Sequence, residues 1–138
     1  MKSQFLRIVL TAGATMLGSL TLSAQDKVEN AKIPFAFQAN HTALAAGDYR
    51  VEQLSYNGTF QILNVSDGNS IFVAVPSKVE GKPDTDSHLT FACYGGNCVL
   101  SEIWMPGGNG YTRSSSAIDH DLQRKLGMAT MISVRLSH

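Results

Sequence analysis

Cys93 and Cys98, in the run CYGGNC, are the only two cysteines of the 138-residue chain. Such a pair serves as a disulfide staple, a redox couple or part of a metal clip. Structural zinc takes four ligands, usually from two such pairs or from one pair and a closely spaced histidine pair, whereas His41, His88, His120 and His138 are scattered. The CxxC spacing of thiol oxidoreductases is not present. With Gly95 and Gly96 at the two central positions of a tight hairpin turn, where positive φ favours glycine, Tyr94 pairs with Asn97 and Cys93 falls opposite Cys98. That second pair is of the non-hydrogen-bonded kind, with Cα atoms about 4.5 Å apart, at the short end of what a disulfide accepts. The expectation is a Cys93–Cys98 disulfide, with free thiols and metal or redox work as alternatives. No metal or other cofactor is expected.

Two other groups of residues carry side chains suited to chemistry. SSSAIDHDL places Ser116 near Asp119 and His120, the parts of a hydrolase. A nucleophilic serine needs its base and orienting acid to converge from separate elements, and no GxSxG turn occurs. Neighbours on one helix point in different directions, so Ser116 reads as a helix cap and Asp119 as an acid favoured at the positive helix end. The second group is aromatic. Trp104, Tyr94, Tyr56 and, after the glycine-rich PGGNG run, Tyr111 could form a face that stacks on sugar rings, with Trp104 and Tyr111 the leading pair, although most aromatics in a small β-domain belong to its core. No paired carboxylates mark a glycosidase, and no glycine loop with its lysine marks a phosphate site. Asn40, Asn57 and Asn64 open Asn-x-Ser/Thr triplets, read here as turn and strand composition.

The elements that must position these groups are short apolar stretches parted by turn residues, the pattern of an all-β sandwich or barrel. Ile33–Phe37 reads as a first strand. Tyr49–Glu52 alternates apolar and charged residues, as a strand with one wet face does. Asn57-Gly58 signals a hairpin into 59–65, and Asp67-Gly68 the next turn. Ser70–Val75 is apolar on both faces, as in a central strand, and Val79–Ser87 reads as the longest loop. Leu89–Cys93 and Cys98–Met105 flank the cysteine turn. Ile118, Leu122 and Leu126 then recur at helical spacing, with Gly127 as the C-terminal cap, before a last strand at Met131–Leu136. The expected fold is mainly β: a small antiparallel β-sandwich or barrel with one short C-terminal helix.

Residues 1–24 differ in kind from the rest. Lys2 and Arg7 precede an uncharged apolar run, Ile8–Leu22, broken by Gly13 and Gly18, and Ala24 is a small residue at a cut before Gln25. This is the layout of a secretory signal peptide, and the run is short for a membrane span of about 20 residues. Residues 25–138 then form a single β-rich domain, secreted or periplasmic, with no stable membrane span. Cleavage removes Lys2 and Arg7 and no acid, which leaves the remainder at about −2. Nucleic acid is excluded as a partner, since no basic stripe is present to meet phosphates.

IPFAF near the expected mature start, LAAGDYRVE at 44–52 and LTFACYGGNCVLSEIW at 89–104 together resemble an uncharacterised family of short, exported bacterial proteins. Gly47 and Tyr49 carry the second motif. Leu89, Phe91, Tyr94, Gly95, Leu100, Ile103 and Trp104 carry the third. Ala45 stands where that pattern has proline, and the cysteines are an addition to it. The resemblance implies a small secreted β-domain with no catalytic set. The function expected is therefore non-enzymatic: a binding or structural role at the cell envelope, toward an envelope protein or a glycan. Edge strands or the 107–110 loop are the expected contact surface. A carbohydrate-binding module using Trp104 and Tyr111 is the alternative.

Overall fold

A computed structural model describes residues 27–113 and 117–138. The expected signal segment, its cleavage before Gln25 and the Ser116 cap lie outside the described residues. The described chain runs β1 (Val28–Ile33), β2 (Phe37–Ala39), β3 (Thr42–Leu44), β4 (Gly47–Ser55), β5 (Thr59–Asn64), β6 (Ser70–Ala74), β7 (Ser77–Glu80), β8 (His88–Tyr94), β9 (Asn97–Met105), β10 (Asn109–Thr112), α1 (Ala117–Leu126) and β11 (Thr130–Ser137).

The strands form one sheet in the order β3-β2-β9-β8-β11-β1-β4-β5-β6, with β10 also on β9 and β7 on β10. One edge of β9 is shared: Cys98 and Val99 meet β2, and Glu102–Met105 meet β10. Only Val75 and Pro76 separate β6 from β7, so the chain bends there from the edge of β5 to the edge of β10. This bend leads the ladder back toward its start and curls the sheet into a half-barrel. All pairs are antiparallel except β2 with β9, which is parallel. That one pair departs from the antiparallel expectation.

Alternation sets the two faces. On β4, Tyr49 and Val51 point inward and Asp48 and Arg50 outward; on β1, Ala31 and Ile33 point inward. The concave side fills with Phe60, Ile62, Leu89, Phe91, Ile103 and Met105 among others. Edge-to-face ring pairs join Phe35 to Phe91, Phe91 to Phe37 and Phe37 to Tyr49, with centroids 5.0–5.3 Å apart, a favoured aromatic geometry. β8 is buried on both faces over most of its length, because α1 covers its convex side.

Several local expectations change in the fold. Pro34 lies between β1 and β2 instead of inside one strand, since it has no N–H for a ladder. The stretch 70–75 is an edge strand and not a central one, and Phe72 is 58% exposed. An apolar run alone does not distinguish the two, because exposure depends on what packs over it. Val79 and Glu80, expected at the start of a loop, belong to β7 and pair with β10. The β4–β5 turn has three residues, Tyr56–Gly58, and only Gly58 takes a positive φ there. The helix ends as expected: the Gly127 amide donates to the Gln123 carbonyl at 3.0 Å.

Candidate functional site

The cysteine hairpin has the expected register. Tyr94 pairs with Asn97 and Cys93 with Cys98, and a disulfide joins the two, with Cα atoms 3.9 Å apart. Gly95 has φ +62°, and Gly96 is not at positive φ. Glycine is therefore demanded at the first central position alone, as in a type II′ turn, and not at both. Both sulfurs are buried in the sheet, between Phe37 of β2 on one flank and Thr130 of β11 on the other. A shallow cleft of about 180 Å³ opens beside Cys98, bounded by Phe37, Leu44 and Asn97.

Trp104 and Tyr111 do not share a face. Gly110 is the register partner of Trp104, so Tyr111, one residue on, points to the opposite side of the sheet. Tyr111 is 2% exposed, edge-to-face with Phe60 at 5.2 Å, and accepts from Gln53 Nε2 at 2.8 Å. The residues before it are no open loop, since Gly108 and Gly110 are buried. Tyr111 is thus a core residue, which corrects the aromatic pair expected to carry a sugar site. Trp104 lies half-buried on the convex face. A Cβ on Gly110 or Gly81 would come within 2.6 Å of its ring, so two glycines make its seat. Its Nε1 donates to Glu102 at 2.9 Å, and His88 stacks on it with centroids 5.8 Å apart. His88 Nδ1 lies 2.7 Å from the Asp86 carbonyl. A carbonyl only accepts, so that nitrogen carries the proton.

The histidine–aspartate region is held for another purpose. Ser116 lies outside the described residues, and His120 is exposed. Asp119 is buried at the start of α1, where the Arg113 guanidinium grips both of its oxygens, Nη2 at 2.7 Å from Oδ1 and Nη1 on Oδ2. Arg113 Nε also donates to the Leu100 carbonyl at 2.6 Å. Two-point pairing of this kind is strong and directional. Tyr94 completes the group, its hydroxyl 3.5 Å from Asp119. Burial, and after it the Asp119 carboxylate, pushes the Tyr94 phenol above its ordinary value, with Arg113 opposing. A cleft of about 190 Å³ lies alongside, between Tyr94, Arg113, Ala129 and Met131. These groups fasten α1 to the convex face of β8 and β9. Among the described residues no group of three or more histidine, cysteine, aspartate or glutamate side chains is arranged to hold a metal.

Two residues escaped the sequence reading, Arg113 and Glu29, and His88, weighed there only as a metal ligand, proves to stack on Trp104. Of the two, Glu29 was the more accessible to that reading. Carrying the inward alternation of Ile33 and Ala31 back by two positions places this carboxylate on the core side.

Fold and staple together define a mainly β, disulfide-closed half-barrel domain. Comparisons with protein-family models, with curated proteins and with solved structures found no match. Among the described residues no helix is long and apolar enough to cross a membrane.

Proposed function

We propose that this protein is an exported, non-catalytic β-domain that acts by binding a partner at the cell envelope through its surface. The observation that carries the reading is the Cys93–Cys98 disulfide, because such bonds persist in oxidising compartments outside the cytosol. The leader-like residues 1–24 and the resemblance to exported proteins support it further. The contact surface proposed is the edge of β6 that pairs with no strand among the described residues, where the Phe72 side chain is exposed and only the Phe72 carbonyl is capped, by Asn40. Unpaired strand edges are ready templates for association. The turn after β9 is less suited, since two of its glycines are buried against Trp104 and the 81–82 segment.

The test is the intact mass of the exported protein with and without reductant, followed by photo-crosslinking from position 72 in envelope extracts. A chain beginning at Gln25 and two protons light, with a discrete crosslinked partner, is expected. A retained leader, free thiols, or no crosslink at 72 would sink the reading. For the glycan alternative, only Trp104 of the two aromatics faces outward, and it is stacked by His88. Unchanged fluorescence of this single tryptophan across a panel of envelope polysaccharides removes that alternative.

A further inference from the structure

At one end of the half-barrel the concave face turns polar. Glu29 of β1 points inward with a side chain 2% exposed, and its Oε1 lies 3.2 Å from Nδ1 of His138 at the surface. Its Oε2 is buried and receives no hydrogen bond among the described residues. Gln53 of β4 faces the same side. Its Nε2 donates to the Tyr111 hydroxyl and to the Ser55 carbonyl, but its Oε1 is also buried without a donor among the described residues.

The strand register brings these two side chains together. Glu29 is opposite Val51, and Gln53, two residues further, bonds through its backbone amide to the Lys27 carbonyl. They are diagonal neighbours on one face, a spacing that long side chains bridge. An orphaned buried acceptor is uncommon and costs about 1–3 kcal/mol, more for a charged group. Two such acceptors on one patch, one of them a carboxylate, call for a donor that the described residues do not supply. Lys27 is close in sequence, but its Nζ lies 4.7 Å over the Tyr56 ring.

We propose that Glu29 Oε2 and Gln53 Oε1 form a receptor for a primary ammonium group of a small ligand, entering beside His138. With Glu29 ionised both oxygens only accept, and an ammonium brings three donors and a positive charge to the buried carboxylate. Barrel mouths, with an apolar floor and a few convergent polar groups, are common ligand positions. Here the buried Val51, opposite Glu29, and the buried Phe60, opposite Gln53, supply that floor. The site does not depend on the surface-binding reading, and its test uses a different readout.

Thermal unfolding of the full exported chain is measured against methylammonium chloride and, at equal ionic strength, tetramethylammonium chloride, which has the charge but no N–H. A saturable rise in midpoint with the first salt and none with the second is expected. In Glu29→Gln the apparent affinity should fall about ten- to hundredfold, the loss of a charge-assisted hydrogen bond. Equal responses to the two salts, no response to either, or an unchanged affinity in Glu29→Gln would overturn the proposal. A Glu29→Gln chain that is more stable than the parent, with neither responding, would show that the new amide only replaces internal water. Should that variant not fold, Gln53→Met takes its place, and an undiminished methylammonium response in it likewise overturns the site.

Discussion

Tyr94 and Asp119 show what single side chains do here. The Arg113–Asp119 pair is largely out of water, with side chains 18% and 7% exposed, and removing one partner leaves the other charge buried. Asp119→Ala is expected to lower unfolding stability by about 3 kcal/mol, read from urea denaturation, with α1 detaching first. Tyr94 contributes through pH. Its phenol is raised in the folded state, mainly by burial, so the native chain holds that proton more tightly than the unfolded chain. The stability linked to it is fully present below the unfolded value of about 10 and is lost as pH climbs through the native value. Tyr94→Phe should therefore flatten the alkaline limb of the stability curve, and identical limbs in the two proteins would refute this. Tyr49 explains part of the LAAGDYRVE motif in structural terms: its buried hydroxyl donates to the Ala45 carbonyl at 2.6 Å and accepts from Asn64 Nδ2 at 3.3 Å.

At the scale of elements, the β8–β9 hairpin separates two glycines that look equivalent in sequence. Gly95 is at φ +62°, and a built Cβ there would make only an ordinary contact with Leu126 at 3.9 Å, whereas Gly96 has ordinary φ and nothing near it. Gly95→Ala should cost about 1 kcal/mol from backbone conformation alone, and Gly96→Ala should be close to neutral. Chemical denaturation of both variants tests this, and equal effects would mean that the turn type is wrong. The β2–β3 hairpin is a second such element. Asn40 and His41 both take left-handed φ, at +47° and +60°, where Asn and His are among the more tolerant side chains. That turn aims Asn40 Nδ2 at the Phe72 carbonyl, 3.0 Å away. One tip thus caps part of the β6 edge and joins the two ends of the curled sheet.

For the whole molecule, the disulfide ties two neighbouring strands and closes a loop of only six residues. Reduction should lower stability by about 2 kcal/mol in the chain-entropy account and leave the fold intact, so a reduced chain that unfolds completely at 25 °C would show that the staple does more. The cysteine register, most turns, the helix with its Gly127 cap and the mainly β class were all legible in the amino-acid order. Each is set by contacts within a few residues: a φ only glycine adopts readily, an alternation of period two, a helical stripe. The edge position of 70–74, the parallel β2–β9 pair, the opposite faces of Trp104 and Tyr111, and the buried patch at Glu29 were decided only by the tertiary structure. Strand alternation states which residues share a side. Which side becomes the core depends on partners tens of residues away, through register and the bend at Val75-Pro76, and no local pattern encodes those distances.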